Sequence, residues 1–415
     1  MDKRTIFILV GISIVGIILS PPVLAMFSSQ NESWKFILTS DTEEQFSDCA
    51  MSDNGDSMVV GSGNDNLYLF QRSSAIPLWK FTFQQGVSSV DISADGNSIV
   101  GGGGEGIFYL FNDKHSNPLW KYSTDSPIYD IAISSDGKYI AVCSEAGDTL
   151  SLFHRDNPNP LWRTNSAGDQ VKISSDGNYI VSYDRMDGIV YFFDKSISNP
   201  LWQYSIGDVL YDLAITPNAD LIVTGGQAFN PSGHKIYLFT KSGTTPTFLY
   251  TEGTIRAIAI SQNGDYIAAG CSDGIYLFNI SSLTRLWKYP FPIYADSHEI
   301  AISPDGNYII TNIWRDPLDG EINRLLFFNK SSSVPKWTIN IESMVNAVDI
   351  SSDGNDIAVA TQFSFYYINR QNPKINELEI SIANISLGSF LGIGIMGIIA
   401  LIQNPRKREI PLDKE

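Results

Sequence analysis

The residue types that most often perform chemistry are few and scattered in this chain. Its 415 residues contain four histidines and three cysteines, which are His115, His154, His234, His298, Cys49, Cys143 and Cys271. No His-x-x-x-His or Cys-x-x-Cys spacing occurs among them, so the sequence indicates neither a zinc site nor a disulfide framework. We therefore predict no catalytic residue, no metal ligand and no bound cofactor.

Acidic residues offer one further group of candidate ligands. A short turn phrase recurs along the chain and begins with isoleucine or, in one copy, methionine. Four acidic residues each stand three residues before that first residue, and they are Asp48, Asp130, Asp212 and Glu299. If the repeats form a ring, these carboxylates come from alternate units and could attract a hard cation such as calcium at the mouth of a channel. The alternative is that they are ordinary solvated polar positions.

The overall charge excludes one class of partner. Lys and Arg number 28 and Asp and Glu number 45, which gives a formal net charge of −17. Because an acidic surface repels the phosphate backbone, we predict no nucleic-acid partner. The apolar fraction of 43% is sufficient for a large folded core.

The first end of the chain has the pattern of an export signal. No charged residue occurs between Thr5 and Asn31, and Lys3 and Arg4 precede this apolar stretch. A basic start, an apolar segment and small residues near Ala25 are typical of a signal peptide. We predict that residues 1–25 form a signal peptide or, alternatively, an uncleaved signal anchor.

The second end has the pattern of a membrane span. The uncharged run from Ile385 to Ile402 is 18 residues long, which at ~1.5 Å per residue reaches about 27 Å. Arg406, Lys407 and Arg408 follow it, and basic residues beside a span stay on the cytoplasmic side. We predict a transmembrane helix over residues 385–402, a linker over 373–384 and a short basic cytoplasmic tail over 403–415.

Both ends predict the same topology, in which the middle of the chain lies outside the cytoplasm. The expected location is the cell membrane, with a single pass and a cytoplasmic C-terminus.

The middle of the chain is built from eight copies of one unit. A turn phrase of the type Ile-Ser-x-Asp-Gly-Asn begins at Ile92, Ile133, Ile173, Ile260, Ile302 and Ile350, with degenerate copies at Met51 and Ile215. Asp-Gly and Asn-Gly pairs supply the left-handed conformations that join adjacent antiparallel strands.

Two more phrases complete the unit. An aromatic phrase such as Tyr68-Leu69-Phe70 follows each turn, and a Pro-Leu-Trp phrase ends at Trp79, Trp120, Trp162 and Trp202, with weaker copies at Trp34, Phe248, Trp287 and Trp337. Each unit therefore contains four short strands, which we name a, b, c and d. Four-stranded units of about 40 residues indicate a β-propeller.

The fold class is therefore all-β, with an eight-bladed β-propeller over residues 33–372. Because the first strand, at Trp34, is a d strand and the last complete strand, at Ile368, is a c strand, the N-terminal strand is expected to complete the eighth blade. The aromatic positions are expected to pack between blades.

The units resemble WD repeats and the related quinoprotein-like propeller repeats. The Ser-x-Asp-Gly turn is common to these propellers, and Pro-Leu-Trp resembles the tryptophan-bearing repeats of pyrroloquinoline-quinone dehydrogenases. The Trp-Asp dipeptide of WD repeats is absent, because Phe70-Gln71 and Phe193-Asp194 occupy that strand end. The quinoprotein resemblance implies an enzyme with a vicinal disulfide, but this chain has no adjacent cysteines.

Two repeats are longer than the others between strands b and c, around residues 227–234 and 314–323. We predict that these insertions form loops on one face of the ring, because insertions on one face of a repeat protein often mark its binding surface. The candidate binding residues are Phe229, Trp314, Arg315, Asp316 and His298. Trp314 could instead fold back over its own loop.

The function predicted from the sequence is that of a membrane-anchored, non-catalytic binding module. Its ligand would be a protein, a glycan or a partner subunit in the same membrane. The alternative is an exported propeller enzyme, either a quinoprotein-like oxidoreductase or a hydrolase.

Overall fold

The computed structural model of the chain describes residues 33–38, 45–145, 149–165, 168–228, 233–243, 245–292, 295–316 and 322–380. The regular structure in these ranges consists of β-strands arranged as eight sheets. Within these ranges, no helix is long enough and apolar enough to cross a bilayer. The predicted signal segment 1–25, span 385–402 and tail 403–415 lie outside the described residues.

Each sheet is one blade, with its strands in the order a, b, c and d, except that in blade 8 strand d is β1 (Ser33–Leu38) and β33 (Ile375–Ile380) is a fifth strand. The strands are β1 (Ser33–Leu38); blade 1, β2 (Phe46–Met51), β3 (Ser57–Ser62), β4 (Asn66–Gln71) and β5 (Ser74–Thr82); blade 2, β6 (Val87–Ile92), β7 (Ser98–Gly103), β8 (Ile107–Asn112) and β9 (His115–Ser123); blade 3, β10 (Ile128–Ile133), β11 (Tyr139–Ser144), β12 (Thr149–His154) and β13 (Asn157–Thr164); blade 4, β14 (Gln170–Ile173), β15 (Tyr179–Asp184), β16 (Ile189–Asp194) and β17 (Trp202–Ser205); blade 5, β18 (Val209–Ile215), β19 (Leu221–Gln227), β20 (His234–Thr240) and β21 (Thr247–Thr251); blade 6, β22 (Ile255–Ile260), β23 (Tyr266–Cys271), β24 (Gly274–Asn279) and β25 (Thr284–Pro290); blade 7, β26 (Ile300–Ile302), β27 (Tyr308–Asp316), β28 (Ile322–Asn329) and β29 (Trp337–Ile341); and blade 8, β30 (Val345–Ile350), β31 (Asp356–Thr361), β32 (Phe365–Asn369) and β33 (Ile375–Ile380).

The recurring turn phrase joins strands a and b because its polar side chains bond to its own backbone. In blade 2, the Ser93 hydroxyl donates to Asp95 Oδ1 at 2.7 Å and accepts from the Ser98 amide at 3.0 Å. Gly96 has a φ of 74°, a left-handed conformation that glycine adopts without steric cost. The sequence therefore encodes each a–b turn locally.

The same turns also connect neighbouring blades through their backbones. In six pairs, an amide of one turn donates to a carbonyl of a turn in the adjacent blade. These turn bonds are Asp53 to Ala94, Ala94 to Ser135, Asp136 to Ser175, Ser175 to Pro217, Asn263 to Pro304 and Ser352 to Asp53.

The tryptophans of the d strands form a second ring of bonds between blades. Six indole Nε1–H groups donate to a backbone carbonyl after strand c of the next blade. The pairs are Trp34 to Arg72 (2.9 Å), Trp79 to Asp113 (3.0 Å), Trp120 to Arg155 (2.6 Å), Trp162 to Lys195 (2.7 Å), Trp202 to Lys241 (3.1 Å) and Trp287 to Lys330 (2.8 Å). The prediction that these rings pack between blades is confirmed, since Trp79 also contacts Phe111 of blade 2 at 5.4 Å.

The ring closes as the sequence predicts. Strand β1 pairs antiparallel with β32, with Trp34 opposite Tyr367, and becomes the d strand of blade 8. Trp34 and Phe36 are buried in one apolar cluster with side chains of blades 1 and 8. This closure pairs the c strand of blade 8, which would otherwise be an open sheet edge.

Blade 8 has a fifth strand that the sequence did not predict. Residues 373–384 were expected to form a linker, but β33 pairs in parallel with the outer edge of β1. The d strands of blades 1 to 3 contain Pro77, Pro118 and Pro160, and Pro200 stands just before that of blade 4. Proline cannot donate to a neighbouring strand. Strand β1 contains no proline, so its edge can accept a further strand.

We expect deletion of residues 26–40 to lower the melting temperature of the propeller by about 10 °C or more. The deletion removes β1 with its buried Trp34 and Phe36, and each large core truncation costs about 3–5 kcal/mol. Truncation from Arg406 onward should leave the melting temperature unchanged. Thermal unfolding of both variants tests this, and equal melting temperatures would contradict the closure.

Candidate functional site on the upper rim

The inner strand of every blade has one edge that faces the central channel, where its amides have no neighbouring strand. Aspartate side chains bond several of these amides. Asp48 Oδ1 accepts from the Cys49 amide at 2.8 Å, and Asp48 Oδ2 accepts from the Val90 amide of blade 2 at 2.8 Å. We call the second kind of bond, from an aspartate to the inner strand of the next blade, an inner-strand bridge.

Five aspartates form inner-strand bridges in the described part of the ring. They join Asp48 to Val90 (2.8 Å), Asp91 to Ile133 (2.8 Å), Asp130 to Val171 (2.9 Å), Asp212 to Ile258 (2.7 Å) and Asp349 to Met51 (2.8 Å). Three of the four carboxylates that the sequence suggested as cation ligands are therefore acceptors for backbone amides. The fourth, Glu299, forms no bridge to a described amide.

The channel also contains one lysine among these carboxylates. Burial lowers the pKa of Lys172, but attraction to Asp130 and Asp212 outweighs this effect and raises the pKa to about 12. Lys172 is therefore charged and offsets part of the negative charge of the ring. Within the described ranges, no three His, Cys, Asp or Glu side chains are arranged to hold a metal ion. The contacts described above join neighbouring blades.

The channel aspartates hold protons more tightly than ordinary carboxylates. Burial raises the pKa of Asp48 and of Asp91 to about 7, although the hydrogen bonds that these carboxylates accept from backbone amides favour the charged form. Burial also raises the pKa of Asp349, to about 6. These groups change charge near neutral pH.

A different group of side chains gathers on the face that carries the d–a and b–c connections, which we call the upper rim. Strand β27 extends beyond its neighbours, and there the Trp314 amide donates to the Asp296 carbonyl at 2.8 Å. The Trp314 ring meets the His298 ring edge to face at 5.2 Å. Arg256 Nε donates to Asp296 Oδ2 at 3.0 Å, and His298 Nε2 lies 3.7 Å from the same oxygen.

Tyr211 continues this group towards blade 4. The guanidinium carbons of Arg185 and Arg256 each lie 4.9 Å from the centre of its ring, a distance typical of a cation–π contact. The Tyr211 hydroxyl donates to Gln227 Oε1 at 3.0 Å. We call Arg185, Tyr211, Arg256, Asp296, His298 and Trp314 the rim cluster.

The rim cluster is only partly covered by the fold. Arg185 is exposed, and Tyr211, Arg256, His298 and Trp314 are half-buried. Burial lowers the pKa of His298, an effect that Asp296 opposes and Arg256 reinforces. The histidine is therefore neutral at pH 7, and the cluster presents aromatic surfaces beside two guanidinium groups.

A backbone irregularity positions two residues of this cluster. The inner strands of blades 5 and 6 each have a register shift that leaves Tyr211 and Arg256 unpaired with strand b, and such bulges redirect a side chain. In blades 1, 2 and 8 the bulged residue is Ser47, Ser88 or Asn346, and its side chain donates to a carbonyl of the next blade.

The structure brings together two of the predicted binding residues, His298 and Trp314. Arg315 and Asp316 follow Trp314 in β27, so this insertion lengthens the strand instead of forming only a loop. Strands β19 and β20 likewise lengthen the other inserted hairpin. Phe229 lies outside the described residues.

Sequence reasoning missed Arg185, Tyr211, Arg256 and Asp296. One signal could have identified two of them, because Tyr211, Arg256 and His298 all stand four residues before the isoleucine of the turn phrase. Blades 1, 2 and 8 have the smaller polar residues Ser47, Ser88 and Asn346 there, whereas blade 3 has Tyr129. Arg185 and Asp296 lie in connections whose approach to the cluster depends on the folded ring.

The remaining histidines and the cysteines lie apart from this cluster. His115 and His154 are in the outer parts of blades 2 and 3, and His234 begins strand c of blade 5. The three cysteines are free and buried. Burial raises the pKa of the Cys49 and Cys271 thiols well above the usual value, so neither is a ready nucleophile.

The comparisons with known proteins agree with this architecture. Residues 116–153 and 244–276 match the family model described as "WD domain, G-beta repeat". The fold is similar to a solved structure titled "Crystal Structure Of The C-Terminal WD40 Domain Of Sif2", with a TM-score of 0.64 and 14% identity over 80% of this chain and 98% of that chain. No curated protein sequence matches the chain.

The chain therefore contains WD40 repeats in an eight-bladed propeller, although the Trp-Asp dipeptide is absent. Each matched segment begins at a d strand and ends within strand c of the next blade. The resemblance to quinoprotein repeats stays a prediction.

We expect Asp91→Asn to reduce the pH dependence of stability. Because its pKa is about 7 in the folded ring and about 4 in an unfolded chain, Asp91 stabilises the fold fully below about pH 4. This contribution is lost as the pH rises through about 7. Asparagine does not titrate, so the difference in melting temperature between pH 5 and pH 8 should shrink in the variant.

The control is Asp187→Asn, which changes an exposed carboxylate. It should leave the difference between pH 5 and pH 8 as in the unchanged protein. An Asp91→Asn variant with the unaltered pH dependence would show that Asp91 is ionised throughout this range.

Proposed function

We propose that this protein is a membrane-anchored, extracytoplasmic propeller that binds a protein partner through the rim cluster and performs no catalysis. Propellers with WD40 repeats are typically protein-interaction modules. The observation that carries the proposal is the replacement of small bulge residues by Tyr211 and Arg256 beside Trp314. Arg, Tyr and Trp are the side chains most enriched at binding hot spots.

The opposite face supports the choice of the upper rim. On that face, the turn residues of blade 2 bond to one another, as the Asn97 amide side chain and Asp95 Oδ2 do at 2.7 Å. The rim cluster instead leaves the Arg185 guanidinium exposed beside Tyr211. A partner segment with a carboxylate and an apolar side chain fits this surface, because the guanidinium can bond the carboxylate and the rings can cover the apolar group.

The position of β33 supports a proposed orientation of the rim relative to the membrane. This strand runs parallel to β1, and Ile380 lies opposite Leu38, at the rim end of a d strand. Only residues 381–384 separate it from the proposed span 385–402, and four residues reach at most about 14 Å. In this proposal the upper rim faces the membrane, and the partner is a protein in the same membrane.

We expect a photocrosslinking amino acid at Met186 to capture a defined protein, because Met186 is 75% exposed and directly follows Arg185. The same amino acid at Ile197, which is 44% exposed on the opposite face of blade 4, is the matched control and should not capture that protein. Crosslinking in intact cells followed by mass spectrometry gives the readout.

Adding Arg256→Ala and Trp314→Ala should reduce the crosslink from Met186 by about tenfold or more, the loss expected for hot-spot residues. The melting temperature of this double variant should be measured in parallel to show that the ring is folded. Equal capture from both faces, or capture that persists in the folded double variant, would refute binding at the rim cluster.

The membrane topology has its own test. Protease added to intact cells should digest the propeller, while an epitope tag placed after Glu415 stays protected, because the basic residues 406–408 hold the tail in the cytoplasm. Permeabilised cells are the control, and in them the tag should be digested. A tag that antibodies reach on intact cells would contradict this orientation.

A further inference from the structure

The junctions between neighbouring blades are not equally bonded. Three kinds of directional bond recur around the ring: the turn bonds, the indole bonds of the d-strand tryptophans and the inner-strand bridges of aspartates. Junctions 1–2, 2–3, 3–4 and 8–1 have all three. Junctions 4–5 and 6–7 have the turn and indole bonds, and junction 5–6 has an inner-strand bridge. Among the described residues, junction 7–8 has none of the three.

The indole bond is missing at this junction although the tryptophan is present. Trp337 occupies the d-strand position of blade 7, but its buried Nε1–H has no hydrogen-bond acceptor in the described structure. In the other six pairs the acceptor is the carbonyl of the residue directly after strand c, which in blade 8 is Arg370. A buried donor without a partner lowers stability, and junction 7–8 contains such a donor in the Trp337 Nε1–H.

The connection after the expected acceptor is specific to blade 8. The Arg370 amide donates to the Asn355 carbonyl at 2.8 Å, as the Arg72 amide does to Asp56 in blade 1, but the chain after strand c does not continue into a d strand, because β1 supplies that strand. The Asn372 amide donates to the Asn369 carbonyl at 3.0 Å, and the Ser33 hydroxyl of β1 donates to the Asn372 carbonyl at 2.6 Å. Arg370 therefore lies in a turn that leads to β33.

The inner-strand bridge is missing for a different reason. Glu299 stands at the position of Asp48, Asp130 and Asp212 in its repeat, but its side chain is one methylene longer and reaches no amide of blade 8. Strand β26 begins only at Ile300, because the Glu299 amide donates to the Asn312 side chain at 3.0 Å. The amide that corresponds to Val90 is that of Val348.

Apolar and aromatic contacts hold junction 7–8 together. Trp337 stacks on Phe327 of its own blade at 4.8 Å, and both rings pack in a cluster that includes Ile310 of blade 7 and Val359 of blade 8. The Arg370 guanidinium lies 4.0 Å from the centre of the Tyr308 ring. Such contacts are less directional than hydrogen bonds, so they impose less geometry on the junction.

We propose that the ring opens reversibly between blades 7 and 8 while the individual blades stay folded. The opening is independent of the binding function proposed above. It separates the blade that carries Trp314 and His298 from the blade to which both β1 and β33 belong.

Two tryptophan variants compare junction 7–8 with junction 1–2, which has all three kinds of bond. Trp79→Phe removes an indole bond and should lower the melting temperature of the full-length protein by about 2 °C. Trp337→Phe removes a donor that bonds nothing and should leave the melting temperature unchanged or higher. An equal loss in both variants would show that junction 7–8 is bonded like the others.

Hydrogen exchange measured on the full-length protein in detergent tests the opening itself. Amides of β26 and β30 should exchange faster than those of β6 and β10. Glu299→Asp should slow exchange in peptides that contain Val348 by about fivefold, because it supplies the missing bridge. Ala257→Asp, at the same position of blade 6, is the control and should leave those peptides unchanged. Uniform protection of all eight inner strands, or no slowing in Glu299→Asp, would overturn the proposal.

Discussion

The pairing of β1 with β32 is the contact on which the rest of the molecule depends. It joins residues from opposite ends of the propeller and turns a row of blades into a ring, so every blade is covered on both faces. A single blade cannot bury its two faces alone. The closure also has a local consequence, because the chain after strand c of blade 8 leads to β33 and not to a d strand.

The backbone amides of the inner strands that face the channel also need hydrogen-bond acceptors. A strand beside a channel leaves amides without a neighbour, and five aspartates supply acceptors that also link adjacent blades. This arrangement concentrates negative charge at the axis. Burial raises the pKa values of Asp48 and Asp91 to about 7, and Lys172 supplies an opposing charge. The same side chains therefore stabilise the ring by hydrogen bonding and make its stability depend on pH.

The repeated phrases were sufficient to predict the number of blades, the order of strands and the closure by Trp34, because turns and apolar alternation are local properties. The roles of Asp48 and Asp130 were not predictable, since each depends on an amide in the next blade. A cation site and a set of blade-to-blade bonds require the same carboxylates at the same spacing. Strand β33 was missed because its only support is the edge of β1, far away in sequence.

The rim cluster shows how a repeat protein can acquire a site without changing its fold. The bulge in the inner strand is a property of the backbone, and blades 1, 2, 3, 5, 6 and 8 share it. Where the bulged residue is small and polar, as Ser47 is, it joins two blades. Where it is Tyr211 or Arg256, the same backbone directs a large side chain to the rim. At this position the side chain of the proposed site therefore takes the place of a hydrogen bond between blades, while the strands, the turns and the ring stay as they are elsewhere.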